Sequence, residues 1–104
     1  MPAVTKSYYT TYQQAIIDVV LKTKFSVEER DYYGGSPGKG CACPVALAIR
    51  RALGTHAVIS ICAATIRIDS VWFVTPKKVD TYIKAYDRRD DDCFLLDFTI
   101  DELT

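Results

Sequence analysis

The sequence predicts a single α+β domain: two N-terminal helices, a three-stranded antiparallel meander, a third helix and a fourth strand. Two observations lead to this prediction. Apolar residues recur at helical spacing in three segments, and they alternate with polar residues or form β-branched runs in four others. A chain of 104 residues, 49% hydrophobic and 25% charged, also has the length and composition of one globular domain, residues 1–104. We expect one layer of sheet with helices mainly on one face.

The central helix is predicted in the apolar segment CACPVALAIRRALG, residues 41–54. Pro44 suits the first helical turn, and Gly54 lies where a left-handed residue usually ends a helix. Arg50 and Arg51 fall in the last turn, where the helix dipole favours positive charge. The buried stripe of this helix is predicted to contain Val45, Leu47, Ile49, Ala52 and Leu53.

The first helix is predicted over residues 11–24, with Thr11 and Gln14 as a capping box. Residues 1–10 precede it as an arm that frays or packs on the domain. Ser26 and Glu29 form a second predicted capping box, which opens a short turn through Asp31. The buried stripe of the first helix is predicted to contain Tyr12, Ile16, Ile17, Val19, Val20 and Leu21.

After Gly54 the hydrophobic period changes from helical to two. Strands are predicted at 58–63, 65–69 and 71–75, with tight turns at 63–64 and 69–70. A third helix follows, with Thr75 as its cap and Pro76 in its first turn, and it ends between residues 87 and 90. Alternation over 93–100 predicts the last strand. The third helix is predicted to bury Val79, Tyr82, Ile83 and Tyr86, and the last strand Phe94, Leu96, Phe98 and Ile100.

Charge is unevenly distributed along a chain whose net charge is zero. Residues 36–89 hold nine basic and three acidic residues, a net +6, whereas residues 90–104 carry −6. Two interpretations stay open: charges scattered and partly paired on a solvated surface, or an anion-binding patch. The candidate ligand-binding residues are Tyr32, Tyr33, Lys39, Arg50, Arg51, Lys77 and Lys78.

The loop YYGGSPGKG, residues 32–40, leads into the central helix. Glycine-rich loops before helices can hold phosphate through backbone N–H groups. The phosphate-loop pattern is broken, however, because Tyr33 occupies the position of its first glycine and Gly40 that of its Ser/Thr. A connector is the alternative interpretation of this loop.

Zinc ligands could come from one histidine, His56, and from four cysteines, which are Cys41, Cys43, Cys62 and Cys93. The spacing of the cysteines is unlike that of structural zinc sites, so we expect the cysteines to behave as small buried hydrophobic residues. We predict no zinc, no disulfide and no other cofactor. Cys43 is the exception, because a thiol at a helix N-terminus has a lowered pKa; a nucleophile would need His56 as its base.

The acidic run Asp90–Asp92 lacks the ligand spacing of a calcium loop, so it predicts a solvated turn. We therefore predict no catalytic residues.

The segments CPVALAIRRALG, VISICAATIRI and VWFVTPKKVDTYIKAYD, followed by an aromatic strand, resemble small uncharacterised proteins encoded by phages, particularly those of actinobacteria. The resemblance extends from Cys41 to Ile100. It implies a small soluble phage protein, and such proteins often act by binding a host component. It transfers no catalytic residue to this chain.

The expected function is that of a non-enzymatic binding protein that contacts a host protein as an inhibitor or modulator. The alternative is a binder or sequesterer of an anionic nucleotide or nucleic acid through the basic patch. The chain has no apolar run near the ~20 residues of a membrane span and no secretory signal, so we expect a cytoplasmic protein without a membrane partner, in the host cytoplasm if it is phage-encoded. A homodimer is a further alternative.

Overall fold

The computed structural model of the protein describes residues 9–36, 38–54, 57–62, 64–88 and 95–104. Within these ranges it confirms the α+β class. The helices are α1 (Thr11–Lys22), α2 (Glu29–Gly34), α3 (Pro44–Leu53) and α4 (Lys77–Asp87), and the strands are β1 (Lys24–Val27), β2 (Ile59–Ile61), β3 (Thr65–Ile68), β4 (Val71–Val74) and β5 (Leu96–Thr99). Several residues discussed above lie outside the described ranges: arm residues 1–8, His56, Ala63, the run Asp90–Asp92, Cys93 and Phe94.

The strands form two sheets, so the prediction of one sheet layer is wrong. The predicted meander is confirmed as the antiparallel sheet β2-β3-β4, in which Ile66 pairs with Phe73. The second sheet is a ribbon of β1 and β5, in which Phe25 pairs with Phe98. Strand β1 was not expected, because a helix was predicted to continue through residue 24. Thr23 ends that helix in an extended conformation, with ψ of 133°.

Residues 102–104 connect the two sheets. The backbone N–H of Val74 donates to the carbonyl of Glu102 (2.8 Å), and that of Thr104 donates to the carbonyl of Trp72 (3.2 Å). Leu103 forms an isolated antiparallel bridge with Phe73 between these bonds. The chain therefore leaves the ribbon after β5 and pairs along the outer edge of β4.

Two predicted capping boxes are displaced. The cap of α1 is Thr10: its hydroxyl accepts from the N–H of Gln13 (3.1 Å), and its own N–H donates to Oε1 of Gln13 (2.9 Å). The predicted box is thus one residue too late. Ser26 does not cap a helix, because it belongs to β1. Glu28 is the residue before α2, and its N–H donates to Oδ2 of Asp31 (2.9 Å).

Two other predicted boundaries also change. The predicted turn through Asp31 is the helix α2, which takes the first three residues of the predicted loop 32–40. Thr75 does not cap α4, since its hydroxyl donates to the carbonyl of Cys62 (3.2 Å), and Pro76 takes the cap position. The predicted end of this helix is confirmed at Asp87.

Helix α3 is central, as predicted: it packs against α2, β1 and β2. Ile49 is fully buried in it, Leu47 is half-buried, and Ala52 is exposed, contrary to the predicted stripe. The stripe of α1 was also predicted too widely. This helix packs on β4 and buries Ile17 and Val20, whereas Tyr12, Val19 and Leu21 are exposed. The rest of the core comes from both sheets and α4, with the rings of Phe25 and Phe98 stacked 5.3 Å apart.

Candidate functional site

Arg51, a predicted anion ligand, is bound by the protein itself. Its Nη2 donates to Oδ2 of Asp31 (2.6 Å) and to the carbonyl of Ser26 (2.9 Å), and its Nη1 lies 3.3 Å from Glu28. The hydrogen bond to Asp31, which is buried, raises the pKa of Arg51. The guanidinium therefore ties α3 to α2 and β1.

Arg50 and Lys78 also bond to backbone carbonyls. Arg50 donates to Cys41 (3.1 Å) and to Ala57 (3.4 Å), so it joins the chain before α3 to the chain before β2. Lys78 Nζ donates to the carbonyl of Asp97 in β5 (2.9 Å). Three of the five basic residues proposed as anion ligands thus have structural partners.

Lys39 and Lys77 are exposed and form no ion pair among the described residues. Lys39 lines a cavity of about 200 Å³ with Cys43, Cys62 and Lys84. Here the N–H of Gly38 donates to Oδ1 of Asp87 (2.9 Å). The carboxylate of Asp87 thereby occupies a backbone donor that a phosphate in this loop would need.

The two tyrosines of the predicted patch belong to an aromatic cluster. The ring of Tyr32 contacts those of Tyr33 and Tyr86 edge-on, at centroid distances of 5.2 and 5.3 Å. The hydroxyl of Tyr86 donates to the carbonyl of Tyr32 (3.1 Å). Because Tyr32 and Tyr33 belong to α2 and Tyr86 to α4, the cluster joins these two helices. Tyr32 is half-buried and Tyr33 is 70% exposed, so the ring of Tyr33 is presented to solvent.

Cys43 precedes α3 as its N-cap residue, as predicted, but its thiol is not activated. Burial raises the pKa of Cys43, and this desolvation outweighs the lowering by backbone N–H groups at the helix start. The expectation of a lowered pKa is wrong. Cys41, Cys43 and Cys62 are free thiols. In the part of the chain that the structure describes, no three His, Cys, Asp or Glu side chains are grouped to hold a metal ion.

A surface that was not predicted surrounds Asp69, in the two-residue turn between β3 and β4. The carboxylate of Asp69 accepts from the N–H of Val58 (2.9 Å) and from the hydroxyl of Tyr12 (2.7 Å). Its carbonyl accepts from Nε of Arg67 (2.7 Å). One residue thus links α1, the chain before β2, and strand β3.

Asp69 has a positive φ of 52°, the only one among the described residues other than glycine. Two-residue hairpin turns need positive φ, and Asp is one of the few side chains that tolerate it. The turn is fixed on both sides, because the side chain of Gln13 donates to the hydroxyl of Ser70 (2.9 Å). The residues held by Asp69 therefore have defined positions.

The residues around Asp69 expose apolar and aromatic groups. Tyr12, Val58 and Trp72 are 64%, 55% and 47% exposed, and Arg67 lies over the indole of Trp72 at 5.8 Å from the ring centroid. Trp and Tyr rings and Arg guanidinium groups are the commonest anchors of protein interfaces. We call Tyr12, Val58, Arg67 and Trp72, with Asp69, the hairpin patch.

The sequence contains part of the signal for the hairpin patch. Trp72 lies between Val71 and Phe73, both fully buried, so strict alternation places the indole on the outer face of the meander. Tyr12 gave no such signal, because its spacing fitted the apolar stripe of α1. Its position depends on a bond to a residue 57 positions away.

No helix among the described residues is long and apolar enough to cross a membrane. No family model, curated protein or solved structure matches this chain.

Proposed function

We propose that this chain is a non-enzymatic protein-binding domain that contacts its partner through the hairpin patch. The observation that supports this proposal is the grouping of two exposed aromatic side chains, an exposed valine and a stacked arginine around the β3–β4 turn, where Asp69 bonds to three of the surrounding segments. Large rings held in place lose little conformational entropy on binding, so they contribute efficiently to an interface.

On the resemblance to phage-encoded proteins, the proposed partner is a host protein and the proposed effect is inhibition or modulation of that protein. The basic patch supports nucleotide or nucleic-acid binding less well. Arg50, Arg51 and Lys78 already donate to protein groups, and an anion would have to compete with those bonds. Lys39 and Lys77 carry the charge that is left for that alternative.

The test compares affinity capture from host lysate by three forms of the chain. The first is the unchanged protein, the second carries Trp72→Ser and Val58→Ser, and the third carries Leu21→Ser as a matched control. Leu21 is 40% exposed but lies outside the hairpin patch. Unfolding curves of all three forms establish that each is folded.

The proposal is supported by a partner that binds the unchanged and control proteins alike but binds the double variant at least tenfold more weakly. A loss of this size is expected because interface anchors contribute about 2 kcal/mol or more each. A partner that binds all three forms equally would exclude the hairpin patch as its site. Electrophoretic retention of nucleic acid by the unchanged protein, lost on changing Lys39 and Lys77 to Ala, would favour the alternative.

A further inference from the structure

A groove of about 490 Å³ lies over the open end of the β1–β5 ribbon. Val27 and Leu96 form the last pair of the ribbon, and Glu28 and Leu95 are the adjoining residues just outside the two strands. Leu95 is 60% exposed and Leu96 half-buried, so the groove has an apolar floor. Its lining residues are Ser26, Val27, Glu28, Glu29, Leu95, Leu96 and Asp97.

The charged residues that line this groove are all acidic. Glu28 is paired with Arg30 (3.1 Å) and Arg51 (3.3 Å), both outside the lining. Glu29 and Asp97 form no ion pair with any described residue, and Asp97 accepts a neutral hydrogen bond from the hydroxyl of Ser26 (2.7 Å). Among the described residues, two acidic side chains therefore lie beside exposed leucine without an ion pair of their own; Lys78 is close to Asp97 but bonds to its backbone carbonyl.

We propose that this groove binds an arginine or lysine side chain of a partner segment that also carries apolar residues. The long aliphatic stem of such a side chain would pack on Leu95 and Leu96, and its cationic head would reach Glu29 and Asp97. The occupant does not add a strand to the ribbon at this position, because the carbonyls of Ser26 and Asp97 already accept from Arg51 and Lys78. Recognition is through side chains.

This surface is separate from the hairpin patch, and its test does not depend on finding a partner. The probes are two blocked peptides of sequence GLRLG and GLXLG, where X is citrulline, which has the shape of arginine without its charge. Each is titrated into the ¹⁵N-labelled full chain, and amide shifts are followed by NMR. We expect shifts confined to residues 26–29 and 95–97 and tighter binding of the arginine peptide, by about two- to fivefold for each carboxylate contacted.

Glu29→Gln and Asp97→Asn should each reduce this preference for arginine, whereas Leu95→Ser should weaken both peptides alike. Glu102→Gln, an exposed acid outside the groove, is the matched control and should change nothing. The preference should also shrink at 0.5 M salt. Equal affinities for the two peptides in the unchanged protein, or shifts centred elsewhere on the chain, would overturn the proposal even if every variant misfolded. Neither result bears on the hairpin patch.

Discussion

Nη2 of Arg51 lies 2.6 Å from Oδ2 of Asp31, and Asp31 is only 4% exposed. The same carboxylate oxygen accepts the N–H of Glu28 at the start of α2. The carboxylate of Asp31 therefore links the short helix α2 to the central helix α3. A buried carboxylate of this kind is costly to leave without its partners, so the pair has measurable consequences for stability.

Replacing Asp31 with Ala should lower the free energy of unfolding by about 2–4 kcal/mol, because it leaves the guanidinium of Arg51 and the N–H of Glu28 without their acceptor. Denaturant unfolding measures this loss. The control is Lys84→Ala, which breaks the exposed pair with Asp80 (3.0 Å) and should cost less than about 0.5 kcal/mol. Similar losses in the two variants would mean that the Asp31 pair is an ordinary surface contact.

Ile49→Ala should be strongly destabilising, by about 2–5 kcal/mol, because Ile49 is fully buried in α3. Leu47→Ala, which truncates a half-buried side chain of the same helix, should cost clearly less. Thermal and denaturant unfolding of both variants check this order. An unchanged stability of Ile49→Ala would contradict the position of α3 in the core.

Tyr12 should ionise above the ordinary tyrosine pKa. Its hydroxyl donates to Asp69, and this hydrogen bond, assisted by the negative charge of the carboxylate, raises the pKa of Tyr12 above 10.0. The bond needs the protonated phenol. Its contribution to stability is therefore complete below pH 10, the unfolded-state pKa, and is lost as the pH rises through the higher folded-state value.

The measurement is the ultraviolet titration of the unchanged protein minus that of Tyr12→Phe, which isolates one phenol. We expect a midpoint above 10.0 that moves down in Asp69→Asn, since the amide keeps a hydrogen-bond acceptor but removes the charge. A midpoint that is the same in both backgrounds would show that the carboxylate does not act on Tyr12.

The thiols should differ in reactivity in an order set by burial. Cys43 is 3% exposed and burial raises its pKa, whereas Cys41 and Cys62 are exposed. Because the thiolate is the reactive form, iodoacetamide at pH 7.5 should label Cys41 and Cys62 well before Cys43. Peptide mass mapping of a time course gives the three rates. Equal rates under native conditions would contradict the burial of Cys43, and labelling in denaturant serves as the control.

The three longer helices and the meander were predictable from local patterns, whereas the short helix α2 and the ribbon were not. The helical stripe of α3 and the alternation of Ile66 and Ile68 are properties of neighbouring residues. Strand β1 has only four residues and follows α1 after one extended residue, so no local pattern separates the two. Its pairing partner, β5, lies about 70 positions along the chain, and only that pairing makes it a strand.

The candidate sites were less predictable because charge and aromatic content do not reveal partners. Arg51 and Lys77 look alike in sequence, yet Arg51 is bound by Asp31 and Lys77 is solvated. The bonds of Asp69 join three separate segments, and the identity of each partner depends on the tertiary fold.

The β1–β5 ribbon constrains the order in which the chain acquires structure during synthesis. Ser26 must wait for Asp97, 71 positions later, before the two strands can pair, and the side chains of Phe25 and Val27 stay without their strand partners until then. Contacts of such long range form late, because loop-closure entropy must be overcome first. On the ribosome, α1, α3 and the meander can form early, but Phe25 lacks the stacked ring of Phe98 until β5 emerges from the exit tunnel. In that interval a nascent chain is most exposed to aggregation and most dependent on chaperones.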